Sequence, residues 1–496
     1  MRRFLPLLLV ALTAAGTTVA ASALSAGWWL AAGPALALTC LGGRDLLQRR
    51  RPVLRNHPLV GHLRYRTEQA RAGGTGTGTD EPFGGERDGD EFLVPSLHPV
   101  EAAEEAPVVR VGGPDCAQPY DMALLNVSAM SFGALSSHAV LALNRGAALG
   151  RFAQDTGEGG LSEYHLRGGG DLVWEIGTGY FGCRGADGGF DAREFADKAA
   201  LPEVKCVSLK LSQGAAPGSG AVLPGVKVSA EIARERKVPV GETVVSPPCH
   251  RVFSTPRELV LFLARLRELA GGKPTGFKLC VGSRREFLAV CGAMVAEGVA
   301  PDFVVVDGSE GGTGAAPTGV AGRLGMPLTE GLITVHNALV GVGLRDRVRI
   351  GASGRVATGS DVVKRLVQGA DYTNAARAMM LAVGCVRARR CHTGACPAGV
   401  ATQDPLRAHA VNVADKAGQV WRYQRETVRD AVSVMAAMGV RGPGELTPAH
   451  LVRRTGPGTV RSYAELYEWL APGELLAGPP DSWATDWKAA DPDSFR

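Results

Sequence analysis

The 496-residue chain has little net charge: 54 basic residues against 49 acidic ones leave +5 at neutral pH. Its globular part has no long basic tract with interleaved aromatics, so nothing in the sequence supports nucleic-acid binding. A disulfide framework is missing too. The ten cysteines are scattered apart from one tight array, a pattern that fits a reducing compartment and a cofactor site. Charge is absent altogether from residues 4–41. Such a run is too long for the apolar core of a signal peptide and sufficient for two short membrane spans.

The spacing predicts a transmembrane hairpin over residues 1–51, with spans at 4–23 and 28–41. Trp28 and Trp29 stand at the turn, where indole rings favour the lipid interface, and Arg2, Arg3, Arg44 and Arg49–Arg51 flank the spans. The positive-inside rule places both ends, and the domain that follows, in the cytoplasm at the cell membrane. A signal peptide cleaved near Val19-Ala20-Ala21 is the alternative. Residues 52–119 read as a juxtamembrane arm and linker; within them GGTGTGTDEPFGGERDGD cannot build a core.

From about residue 120, short β-branched runs alternate with longer helical patterns, which predicts an α/β fold, a (β/α)8 TIM barrel over 120–404. Strands are expected at 123–127, 172–176, 206–211, 243–246, 276–280, 303–307, 347–351 and 371–375. Helices are expected at 256–270, 284–297, 328–342 and 359–368, where apolar residues recur at three- and four-residue intervals. A doubly wound open sheet is the competing architecture. Residues 405–496 read as a C-terminal helical extension, with helical patterns at 417–438 and 463–470.

Function in such a barrel gathers at the C-terminal strand ends. There the chain is rich in glycine and small residues: SAMSFGALS from Ser128, KLSQGAAPGSG from Lys210, VDGSEGGTGAAP from Val306, GASGR from Gly351 and NAARAMM from Asn374. The last two resemble a phosphate corner, with backbone amides and helix N-termini available to an anion. Lys278, in the apolar run GFKLC, needs a partner for its charge. A flavin ring fits, and so does a structural salt bridge, for example to Asp307. Cys385, Cys391 and Cys396 form the C-x5-C-x4-C array, which alone permits an iron–sulfur cluster, a zinc site completed by His392, or plain burial.

Taken in order, KLSQGAAPGSGAVLPGVKV, VVSPPCH, VVVDGSEGGTGAAP, LRDRVRIGASG and GCVRARRCHTGACPAGVATQDP resemble the FMN-binding synthase domain of glutamate synthases, in a short membrane-anchored branch. The resemblance implies FMN and a [3Fe–4S] cluster on Cys385, Cys391 and Cys396. It places Ser128, Ala129, Met130 and Ser131 beside the flavin ring, and Gln213 and Lys278 at its pyrimidine side. Gly354, Arg355, Ala376 and Arg377 would surround the phosphate. Gly311 and Gly312 would line the active site, and Glu310, Lys278 and Glu158, the last near the reacting carbon, would be the catalytic residues. Arg236 and Lys210 are the implied substrate-binding residues.

Two departures stand out: the family's lysine before a Pro-Gly is Ala216 here, and a glutamine that helps bind 2-oxoglutarate is Val222. Neither a glutaminase domain nor a nicotinamide-binding domain is evident. The implied reaction is reduction of a 2-imino acid, from 2-oxoglutarate with ammonia or an amine, to an L-amino acid such as glutamate. Electrons would come from an external donor, a ferredoxin or a reductase subunit. The alternatives are N-alkylglutamate synthase-type amine transfer with partner subunits, a membrane-tethered flavin and iron–sulfur electron-transfer module, and an IMP-dehydrogenase-like nucleotide oxidoreductase, which the triple-cysteine spacing opposes.

Overall fold

The computed structural model describes residues 2–63, 89–214, 220–311 and 323–496. Ala216, Gly312 and most of the glycine-rich linker lie outside the described residues. Eight parallel strands close into a barrel in chain order. They are β1 Leu125–Val127, β2 Gln154–Asp155, β3 Leu172–Ile176, β4 Val204–Lys210, β5 Thr275–Leu279, β6 Phe303–Asp307, β7 Arg349–Ser353 and β8 Tyr372–Ala375. β8 pairs with β1, Thr373 opposite Leu125 and Ala375 opposite Val127, and this closes the circle.

One expected strand is not in the barrel. Val244–Val245 pairs antiparallel with Val222–Leu223 in a separate ribbon, so the strand predicted over 243–246 exists locally but serves elsewhere. Its place is taken by β2, which pairs with β1 through Val127 and Gln154 and with β3 through Gln154 and Leu172. Two polar residues carry no apolar periodicity, so no sequence pattern marks them. The strand predicted over 347–351 is shifted toward Ser353.

A ribbon of Val108–Val111 with Tyr120–Ala123 supplies Val111 and Met122 to a floor cluster with Ala153, Val173, Cys206, Phe303, Val305 and Tyr372. Because side chains alternate along a strand, the inward series can be followed upward from this floor. Val173 gives way to Glu175, and Cys206 to Ser208 and then Lys210, all buried or nearly so. The interior is thus apolar at the N-terminal end and polar at the mouth.

Helices Pro256–Leu269, Arg284–Glu297, Leu328–Gly341 and Gly359–Val367 form where their periodicity predicts. The long helix Val413–Ala437 lies against Ser137–Gly150, a close approach that requires glycine: a Cβ on Gly146 would meet Val420 at 2.6 Å. The tail is not purely helical. Leu451–Gly456 and Thr459–Ser462 form a hairpin, to which Glu91–Leu93 adds a third strand.

At the N-terminus, helix Leu5–Ala23 leaves Leu5, Leu8, Leu9 and Leu12 exposed. Among the described residues it is the one helix long and apolar enough to cross a membrane. The second helix differs from the expected span of 28–41: it continues to Leu47 and takes in Arg44 and Asp45. Asp45 is buried and accepts from Leu59 N at 3.0 Å, with His62 Nε2 2.9 Å away. These partners offset the cost of burying a carboxylate. The short helix Pro52–Asn56 docks beside the cysteine stretch, Asn56 Nδ2 donating to Pro397 O at 3.1 Å and Arg407 O at 3.2 Å.

Candidate active site

The polar top of the barrel holds two linked charge groups. Lys278 on β5 bonds Glu175 on β3, both almost fully buried. Burial works against the lysine's charge, but the carboxylates of Glu175, Asp155 and Asp307 outweigh it and push its pKa up. The partner is therefore Glu175 rather than Asp307, whose Oδ2 instead accepts from Gly214 N at 2.8 Å. Asp155 is pushed up to about 8, by burial first and by Glu175's charge second. Neither Asp155 nor Glu175 was marked by a motif; the only sequence signal for Glu175 is its place within the apolar run LVWEI.

Nearer the rim, Lys210 Nζ donates to Glu158 Oε1 at 2.7 Å and to Gln213 Oε1 at 2.9 Å. Burial would raise Glu158's pKa, yet Lys210 and Arg236 hold it below the usual carboxylate range, so the group is ionised. Arg236 is 5% exposed, donates from Nη2 to Phe132 O at 3.0 Å, and stands over the Phe181 ring with its Cζ 4.9 Å from the centroid. Its Nε is buried without a partner among the described residues. Burial lowers its pKa to about 10, against the pull of Glu158.

The TGEGG loop carrying Glu158 packs on the SAMSFG loop through glycines. Gly157 has φ +65°, and a Cβ on Gly159 would meet Ser131 Cβ at 2.6 Å and Arg236 Nη2 at 2.7 Å. Met130 is buried, Ala129 and Ser131 are partly so, and Ser128 Oγ lies 3.2 Å from Ser353 Oγ. These contacts bring Ser128, Ser131, Glu158, Lys210, Gln213 and Arg236 to one mouth.

β7 and β8 run side by side with Ser353 opposite Asn374, so Gly354–Arg355 and Ala376–Arg377 leave the barrel from adjacent strand ends. Gly354 has φ +147° and Arg355 φ +50°, and both arginines are exposed. Beside them, past the end of the neighbouring β6, Glu310 accepts from Leu328 N at 3.0 Å and so caps the helix Leu328–Gly341. Gly311 N donates to Gly308 O at 2.7 Å.

Cys385 follows left-handed Gly384, Cys391 opens a short 3-10 turn and Cys396 is buried. Burial first, and then the neighbouring thiols, push Cys385 and Cys391 up. Among the described residues no three His, Cys, Asp or Glu side chains converge as a metal-holding set. His392 is exposed. Lys227, which lies in the quoted KLSQGAAPGSGAVLPGVKV piece without an assigned role, stands next to the array: 3% exposed, it donates to Ala134 O at 2.7 Å and Cys391 O at 3.2 Å. Burial lowers its pKa to about 8, opposed by Cys391 and Cys396. Gln403 Nε2 donates to Gly133 O at 3.1 Å and Leu135 O at 2.8 Å, which ties the end of the cysteine stretch to the SAMSFG loop.

Residues 108–441 match the family model described as the conserved region in glutamate synthase. The glutamate synthase large subunit-like protein YerD of Bacillus subtilis is 41% identical over 352 residues, 71% of this chain and 67% of that protein. An archaeal NADPH glutamate synthase of Archaeoglobus fulgidus is 32% identical over 315 residues, 63% of this chain and 58% of its own length. The NADPH glutamate synthase large chain of Azospirillum brasilense is 32% identical over 326 residues, 64% of this chain but 20% of that protein. The chain thus spans between two thirds and one fifth of these relatives.

Proposed function

The chain belongs to the glutamate synthase family, and on that premise we propose that it is an FMN- and [3Fe–4S]-dependent oxidoreductase. Its reaction is the reduction of a 2-imino acid, formed from 2-oxoglutarate with ammonia or an amine, to an L-amino acid such as glutamate. The observation that carries the reading is the joint made by Gln403, which sets the cysteine stretch directly against the SAMSFG loop. Cluster ligands and flavin loop are then neighbours.

The side-chain types present suit both groups, although the three thiols do not converge in the structure. Thiols are the preferred donors to iron–sulfur clusters, and the buried Lys227 ammonium beside Cys391 offers positive charge to an anionic centre. For FMN, Arg355, Arg377 and the backbone of Gly354 and Ala376 would hold the phosphate, and Lys278, kept charged by Glu175, would face the pyrimidine side. Bound FMN supplies hydride chemistry. Arg236 would bind the substrate carboxylate, and its Nε, unpartnered among the described residues, is a buried donor in need of an acceptor. Lys210, whose Nζ donates to Glu158, would donate to the imino nitrogen as well. Glu310 shapes the loop beneath by capping the following helix.

In this reading residues 1–51 anchor the enzyme in the cell membrane through Leu5–Ala23 with the second helix folded back beside it. The barrel, 120–404, and the extension, 405–496, stay in the cytoplasm, joined by the arm of 52–119. An external donor, a ferredoxin or a reductase subunit, supplies electrons. Protein purified without oxygen should show a flavin spectrum and, when oxidised, the EPR signal of a three-iron cluster, with Cys391→Ser losing iron and retaining the fold. The reduced protein should be reoxidised by 2-oxoglutarate with ammonium. A colourless, iron-free but folded protein would end the reading. Reoxidation by other acceptors alone would favour an electron-transfer module, for which the exposed Val222, in a ribbon outside the barrel, is the supporting observation.

A further inference from the structure

The N-terminal arm and the cysteine stretch make one edge of the molecule. Lys416 Nζ donates to Arg50 O at 2.9 Å, and Asn56 Nδ2 to Pro397 O, the residue after Cys396, at 3.1 Å. Between these ties Pro52 packs on Gly384, where a Cβ would lie 3.1 Å from Pro52 Cγ. Arg49 and Arg50 stand just before this contact, and Arg387, Arg389 and Arg390 just after it. All are exposed, and none is in an ion pair among the described residues. Arg387 and Arg389 hold left-handed backbone, φ 49° and 54°, a conformation uncommon for arginine.

Among the described residues, the acids nearby are already engaged. Asp45 is bonded by His62, Asp404 lies 3.2 Å from Arg407 Nε, and Asp415 lies 3.6 Å from Lys416 Nζ. Unneutralised positive charge therefore collects on one edge, continuous with the chain that leaves the apolar N-terminal helices.

We infer that this edge lies on an anionic lipid surface, with Arg387, Arg389 and Arg390 of the cysteine stretch joining Arg49 and Arg50 in contact with headgroup phosphates. Guanidinium groups match phosphate oxygens in pairs, and basic clusters beside a membrane segment are drawn to negatively charged leaflets. The cysteine stretch is then presented to reductants at the membrane surface. The inference rests on the anchoring proposed above, but not on FMN, the cluster or the reaction.

The test is hydrogen exchange of residues 385–395 in the full-length protein, reconstituted in nanodiscs of phosphatidylcholine alone or with phosphatidylglycerol. Exchange should slow by about threefold or more in the anionic discs. The protection should vanish in about 0.5 M salt, where screening is nearly complete, and in the variant Arg387→Gln, Arg389→Gln, Arg390→Gln. Exchange of β3 serves as the check that this variant is folded. Equal exchange of the wild-type stretch in the two kinds of disc overturns the inference, as does protection that appears only when an acidic protein is added. Flotation with phosphatidylcholine vesicles is read separately: failure to float refutes the anchor, whereas floating without protection refutes the surface alone.

Discussion

Glu175→Gln probes the polar interior of the barrel. Glu175 is 1% exposed and its partner Lys278 is 4% exposed. Removing one member of a buried ion pair leaves the other charge uncompensated, at a cost of about 3–5 kcal/mol. A second acid stands ready to limit the loss. Asp155 sits at about 8 because of burial and then Glu175's charge, and without that charge it ionises toward Lys278. The expected destabilisation is therefore near the lower bound, about 3 kcal/mol.

The pH dependence should change as well. In the wild type the folded state keeps Asp155's proton from the unfolded value of 3.8 up to about 8. The folded state thus binds the extra proton in this window. Its contribution is complete at the acid end and declines as pH rises toward 8, by at most about 1.4 kcal/mol per pH unit. In Glu175→Gln the decline ends at lower pH. Urea unfolding of the detergent-solubilised protein between about pH 6 and pH 8 should show a flatter slope for the variant. Parallel slopes would refute the coupling of Asp155 to Glu175.

Gly159→Ala places a methyl group 2.6 Å from Ser131 Cβ and 2.7 Å from Arg236 Nη2; it should cost about 1–3 kcal/mol and raise the KM for the 2-oxo acid more than it lowers FMN affinity. An unchanged KM would detach Arg236 from substrate binding. Removing both exposed arginines of the proposed phosphate corner, Arg355→Ala with Arg377→Ala, should raise the Kd for FMN about tenfold or more, since charge-assisted hydrogen bonds contribute about 1.5–3 kcal/mol each before solvent screening. An apoprotein titration with the wild-type Kd would move the phosphate elsewhere.

Much of the fold is legible because barrel strands such as Phe303–Asp307 and helices such as Arg284–Glu297 carry their own periodicity. β2 is the counterexample. Gln154 and Asp155 become a strand only because β1 and β3 stand on either side with backbone groups to be paired. The competing run at 243–246 is the better strand locally, and it pairs with the nearby Val222–Leu223 instead. For the second N-terminal helix, composition alone marked the apolar part, while the burial of Asp45 against His62 and Leu59 depends on the fold.

The sequence by itself determined the barrel class, the small-residue loops at the strand ends, the cysteine array and the family, all of which are written in residue types at short spacing. Tertiary structure alone decided the partners. Lys278 finds Glu175, Lys227 is drawn beside Cys391, Gln403 joins the loop at Gly133, and Asn56 reaches Pro397. The physical reason is that ionisation and hydrogen bonding depend on distance and burial, and for residues a hundred or more positions apart those quantities exist only once the barrel has closed.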